Sequence, residues 1–142
     1  MSKFHLLLLD SSVVVKWFRS ESTYDKALAI QQAFLSGDLD LGISELTLYE
    51  VANALRYSGD YTADEIRESL NSILDLEITV YPFSFDALAS GVQRSFDTNI
   101  SIYDAYLVEL AKALRSTLVT ADNKLLARLS ADDHVVSLSA WN

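Results

Sequence analysis

The sequence predicts an α/β domain: a mainly parallel sheet covered by helices on both faces. Three observations carry this. Short apolar runs of strand length recur along the chain, segments with helical apolar spacing lie between them, and acidic residues stand where runs give way to helices. The 142 residues, half of them hydrophobic with a single proline, are expected to form one domain spanning residues 1–142 with a sizeable core. No linker, repeat or low-complexity stretch interrupts them.

The elements read in order as follows. Phe4–Leu9 is an apolar run that stops at Asp10 and reads as a buried strand. Asp10 is placed to cap a helix through Val15 and Phe18. Thr23–Leu35 is helix-like, with Gly37 as its stop. Leu41–Ile43 reads as the second strand. Leu48, Val51, Ala52 and Leu55 then share one helix face, ended by Gly59. Thr62–Leu74 is helix-like, Ile78–Val80 reads as the third strand, and Phe85–Phe96 is helix-like. Tyr103, Tyr106, Leu107, Leu110, Ala111 and Leu114 repeat at the spacing of one helix face. Leu118–Thr120 and Val135–Leu138 read as the fourth and fifth strands. Parallel sheets bind ligands at the carboxyl ends of their strands. Asp10 directly follows the first strand, and Asp122 lies two residues past the fourth.

Composition narrows the function. The absence of cysteine excludes disulfides, thiolate metal sites and a cysteine nucleophile, and it fits a reducing cytoplasm. The N-terminal run lacks the pattern of a signal peptide, and nothing approaches the roughly 18 apolar residues of a membrane span. A formal charge of −9 argues against a passive nucleic-acid-binding module, since phosphate binding rests on Lys and Arg. It argues less against a nuclease, because a bound cation inverts the local field. It also favours encounter with a basic partner.

Asp10, Glu50, Asp104 and Asp122 are the candidate site. Taken singly, each has an ordinary explanation as a helix-start acid. Thr47–Glu50 resembles a capping box, Ser101–Asp104 resembles one with Asp in the acidic position, and Asp122 is placed to cap Lys124–Leu129. Taken together, a cluster of unpaired carboxylates needs a cation, because like charges held close repel. Hard divalent ions such as Mg²⁺ or Mn²⁺ take oxygen ligands.

The local sequences LLLLDSSVVVKWF, LTLYEVANALR, SIYDAYLVELAKAL and LVTADNKLLARL, in that order, resemble the PIN-domain ribonucleases, specifically the VapC-type toxins of toxin–antitoxin pairs. The resemblance runs from Phe4 to Trp141. Residues 31–40 and 60–85 match nothing distinctive. The resemblance implies a three-layer α/β/α sandwich with a central, mainly parallel sheet. It implies a metal-dependent endoribonuclease with Asp10, Glu50, Asp104 and Asp122 as its acidic quartet. Thr120 matches the family's hydroxyl at the end of the fourth strand, and Asn53 matches an amide one helical turn after the glutamate. It further implies a homodimer inhibited by an antitoxin whose basic tail enters the acidic site.

Phosphodiester hydrolysis fits these residue types. The reaction needs an activated water and an offset for the charge on the leaving oxygen, and Mg²⁺ or Mn²⁺ supplies both. Mg²⁺ usually binds through one or two carboxylates and keeps several waters. Asp10 and Asp104 are therefore the first-choice metal ligands, with Asp122 and Glu50 acting through water or on a second ion. Thr120 and Asn53 would orient ligands or water; the competing explanations are a buried strand residue and an exposed helix residue. His5 and His134 are assigned structural roles. Ser11 and Ser12 lack a neighbouring His base, and no phosphate-binding Gly-rich loop exists. Lys16, Arg19, Arg56, Lys124 and Arg128 are candidates for phosphate contacts, or else solvated helix surface. Trp17, Phe18 and Tyr49 are candidates for base stacking, or else packing. Two alternatives stand beside the toxin: a PIN-like domain for RNA processing or RNA binding, and a receiver-like signalling domain. The last wants an adjacent acidic pair near the first strand and a late strand-end Lys, neither of which is evident.

Overall fold

The computed structural model describes residues 5–130 and 134–141. Phe4, expected to open the first strand, lies outside them. Five strands are described: β1 (Leu6–Leu9), β2 (Asp40–Ser44), β3 (Thr79–Tyr81), β4 (Thr117–Thr120) and β5 (Val135–Ser137). They form one all-parallel sheet in the order β3-β2-β1-β4-β5. The helices between them are α1 (Ser11–Val14), α2 (Tyr24–Leu35), α3 (Glu45–Ser58), α4 (Ala63–Asp75), α5 (Phe85–Thr98), α6 (Ile102–Ala113) and α7 (Asn123–Leu126). Short 3₁₀ turns cover Val15–Trp17 and Leu138–Ala140.

The runs of the three central strands β1, β2 and β4 are buried on both faces, which is why they do not alternate with polar residues, while the edge strands β3 and β5 are only partly buried. Leu7 and Leu9 join Val13, Val14, Ile30, Val51, Leu55 and Ile73, so α1 to α4 cover one face. Leu8 and Leu118 point the other way and meet Ala87, Tyr106, Leu107, Leu110 and Ala111 of α5 and α6. This gives the expected three layers. Gly91 marks the close approach of α5 to α6: a Cβ there would lie 3.1 Å from the Tyr106 backbone nitrogen. Among the described residues, no helix is long and apolar enough to cross a membrane.

Helix starts show how well local chemistry is read. Gly59 caps α3 at φ 84°, a conformation that costs glycine little. The capping box expected at Thr47–Glu50 is not formed. Ser44, at the end of β2, caps α3 instead, accepting from Leu46 N at 3.1 Å. Thr47 is therefore inside the helix, fully buried, with its Oγ1 unpartnered among the described residues. A reciprocal capping box exists at Thr62–Glu65. The helix expected after Asp10 is shorter than its apolar spacing suggested, one α turn followed by a 3₁₀ turn. The helix expected over Lys124–Leu129 is likewise a single turn, Asn123–Leu126.

Candidate metal centre

The strand order sets the location. The chain steps outward from β1 to β2 and β3, then returns to the far side of β1 for β4 and β5. The reversal opens a crevice beyond the carboxyl ends of β1 and β4, where open α/β sheets hold ligands. Asp10 follows β1 at this point, and its backbone N–H still bonds to Val119 O at 3.3 Å. Thr120 ends β4, and Asp122 follows. Glu50 arrives from α3, and Asp104 from the first turn of α6.

The four acids are electrostatic neighbours. Burial pushes the Asp10 carboxyl up from its ordinary 3.8 to about 6; bonds from Ser12 and Thr120 oppose the rise, and the charge of Asp104 adds to it. Burial likewise pushes Glu50 up to about 7, helped by the charges of Asp10 and Asp104 and opposed by a bond from Ser11. Asp104 is raised by burial and by Asp122, against a bond from Ser101. The quartet is thus linked from Glu50 through Asp10 and Asp104 to Asp122. The ion pairs among the described residues leave all four acids without a cationic partner.

Capping accounts for only part of this arrangement. Asp10 caps α1 through Ser12 N at 3.0 Å, and Asp122 caps α7 through Lys124 N at 2.9 Å and Leu125 N at 3.2 Å. Glu50 lies in the body of α3 and caps nothing. Ser101 caps α6 by accepting from Asp104 N at 3.0 Å, so the cap is the serine and not the acid. Glu50 and Asp104 are therefore partly buried carboxylates whose positions helix capping does not require.

The donor set suits a hard divalent cation: carboxylate oxygens, partly dehydrated, mutually repelling and unneutralised. Among the described residues, no three such side chains already converge as a closed metal-ligating group. An open arrangement is compatible with an ion that binds one or two carboxylates and keeps its waters.

The remaining candidates divide. Thr120 is fully buried at the site, and its Oγ1 accepts from Asp122 N at 3.0 Å. Asn53 is exposed one turn beyond Glu50, with no hydrogen bond to the acids among the described residues. Lys16 is neither a phosphate contact nor solvated surface. It is buried, donates to Ser22 O at 2.6 Å and pairs with Glu21 at 3.6 Å. Arg19 pairs with Glu21 and Asp60, and Arg56 lies over the Tyr57 ring. Lys124 and Arg128 are exposed and line one hollow with Ser101, Asp104 and Asp122, which keeps them candidates for phosphate contact. Trp17 donates to Ala27 O at 2.9 Å and packs with Phe18 against the core. Tyr49 is 71% exposed and, with Phe83, Tyr103 and Tyr106, lines an apolar cleft that none of the four acids enters. His5 is exposed and bonds Thr117 Oγ1 at 2.8 Å, away from the quartet. His134 is also exposed, and its carbonyl accepts from Leu118 N at 2.8 Å.

Ser12 is the residue that sequence reasoning weighed only as a nucleophile. Its hydroxyl donates to Asp10 Oδ1, accepts from Ala121 N at 2.8 Å and lies 3.3 Å from Thr120 Oγ1. A serine beside an acid gives no signal until β1 and β4 are known to be adjacent.

The PIN domain family model matches residues 7–131. No curated protein sequence matches the chain. Solved structures do resemble it. A toxin–antitoxin complex from Klebsiella pneumoniae is 20% identical, over 93% of this chain and 97% of that one, with a TM-score of 0.67. The sarcin–ricin loop cleaving toxin VapC20 of Mycobacterium tuberculosis is 13% identical, over 85% and 93%, with a TM-score of 0.68. VapBC2 of Rickettsia felis, bound to a DNA fragment from its promoter, is 17% identical, over 93% and 96%, with a TM-score of 0.68. At such identities the likeness is one of fold. With the family model covering most of its length, the chain belongs to the PIN domain family.

Proposed function

We propose that this protein is a Mg²⁺- or Mn²⁺-dependent endoribonuclease, the toxin of a VapBC-type toxin–antitoxin pair, working in the cytoplasm. The observation that carries the reading is the quartet of neighbouring carboxylates, without a cationic partner among the described residues, at the switch point of the sheet. Membership of the PIN domain family and the fold likeness to toxins and toxin–antitoxin complexes support it.

A bound divalent cation would acidify water and offset phosphodiester charge. The chain's part is to hold the ion and position the reactants. Asp10 and Asp104 are the direct ligands. Glu50 and Asp122 act through water, Glu50 from the α3 side and Asp122 from the β4 side. Thr120 holds the Asp122 backbone in place through its hydroxyl. Lys124 and Arg128 flank the Asp104–Asp122 side and would steady RNA phosphates.

The expected inhibitor is a cognate antitoxin with a basic tail, whose Lys or Arg would neutralise the acids in place of the metal. The active form is a homodimer. Co-purification with a small basic protein encoded beside this gene is the expected result. Stable, active expression alone without growth arrest would count against the toxin role.

The deciding experiment is Asp104→Asn, assayed for RNA cleavage with Mn²⁺ and for thermal stability. Asn removes the charge while the Ser101 cap stays in place. Cleavage is expected to fall by orders of magnitude, with stability kept or raised as repulsion is relieved. Unchanged cleavage would sink the catalytic assignment.

A further inference from the structure

Ser12 stands on the second residue of α1, behind Asp10, and reaches across the crevice to β4. A serine hydroxyl has one proton and two lone pairs. Its proton goes to Asp10 Oδ1, because an ionised carboxylate only accepts. One lone pair takes the Ala121 N–H at 2.8 Å. The Thr120 hydroxyl lies 3.3 Å away and also bonds the Asp10 carboxyl. Ser12 N also donates to Asp10 Oδ1, at 3.0 Å. One residue therefore grips a single oxygen of Asp10 twice and ties that grip to the end of the neighbouring strand. Oδ2 is the oxygen not committed to Ser12.

From this geometry we infer that Ser12 is a positioning residue for the metal centre: its hydroxyl fixes the rotation of the Asp10 carboxylate against the end of β4, so that a divalent cation meets one defined oxygen. The inference rests on the proposed role of Asp10 as a metal ligand. Partners that orient a ligand in this way typically change metal affinity or activity by about 10–100-fold when removed.

The test uses Mn²⁺ alone as probe, with free Mn²⁺ followed by electron paramagnetic resonance. The full chain is compared with Ser12→Ala, Ser12→Thr and Asp10→Asn, and each is also melted thermally. Ser12→Ala is expected to weaken Mn²⁺ binding by about 10-fold or more, with its melting midpoint little changed. Ser12→Thr keeps the hydroxyl and is expected to restore binding. Wild-type binding in Ser12→Ala, or a loss that Ser12→Thr does not restore, would overturn the inference. So would a Ser12→Ala chain that melts below the assay temperature, since the hydroxyl would then be a structural pin. The Asp10→Asn arm separates the two levels. Binding that survives Asp10→Asn unchanged removes Asp10 as a ligand, and the role of Ser12 with it. Binding lost in Asp10→Asn but intact in Ser12→Ala removes only the role of Ser12.

Discussion

Two acids on α6, five residues apart, meet opposite treatment. Glu109 is mostly buried and sits 2.5 Å from Arg94 Nε on α5, the two side chains being 15% and 13% exposed. Asp104 is partly buried, faces Asp10, Glu50 and Asp122, and has no cationic partner among the described residues. Where an acid serves packing between helices, this chain supplies its counter-charge. At the carboxyl ends of β1 and β4 it gathers four acids and, among the described residues, supplies none. Desolvation and repulsion both act against the folded state there, which makes sense for a site whose counter-charge comes from outside the chain.

The largest expected effects come from neutralising each acid in turn. Asp104→Asn is expected to cut cleavage by orders of magnitude with stability kept or raised. Glu109→Gln should do the reverse. It removes the charge that faces Arg94 in a mostly buried position and is expected to cost about 1–3 kcal/mol in urea unfolding, below the range of fully buried pairs. Cleavage per folded molecule should stay unchanged. A Glu109→Gln chain as stable as wild type would erase the contrast.

Next in size is the response to pH. Burial favours the protonated forms of Asp10 and Glu50, with values of about 6 and about 7. Between the ordinary carboxylate range and about pH 7, the folded chain therefore holds more protons than the unfolded one. Stability contributed by these groups is present at low pH and lost as pH rises through that window. The metal-free melting temperature should fall over this interval, and Asp10→Asn should flatten the slope. Mn²⁺ binding should tighten over the same interval as the carboxylates lose protons. A metal-free midpoint that rises across the window in wild type would contradict the burial of these acids.

The smallest effect concerns a polar group left alone without purpose. Thr47 is fully buried, with its Oγ1 unpartnered among the described residues. Thr47→Val keeps the shape and removes the unsatisfied hydroxyl, for an expected gain of up to about 1 kcal/mol. Urea unfolding would register it. A loss of stability would mean that the hydroxyl has a partner, and the contrast with the purposeful quartet would weaken.

The strands and long helices were legible because their apolar spacing directly records burial, on both faces for strands and on one for helices. Asp10, Asp122 and Asp104 were legible because they stand at strand ends and in a first turn, whereas Glu50 lies in the body of α3 and was read from the likeness of its segment to the PIN family. Local chemistry was less so. Thr47–Glu50 has the letters of a capping box, but Ser44 lies three residues earlier and captures the helix start. Lys16 carried the sign of a phosphate ligand, yet its ammonium folds back onto Ser22 O and Glu21. Ser12 was weighed only as a nucleophile, because its partners at 120 and 121 become neighbours only through the pairing of β1 with β4.

That pairing also governs the order in which the site can come into being. β1 leads the described chain, but its neighbour β4 emerges more than a hundred residues later, and Ser12 bonds to a backbone group 109 residues away. Contacts of such sequence separation form late, because long loops must close first. During synthesis, which runs from the N-terminus, a nascent chain already carrying Asp10, Glu50 and Asp104 still lacks the strand that closes the crevice. Ribosomes making this protein thus meet a complete acid quartet only once residue 122 and the strand before it have been added.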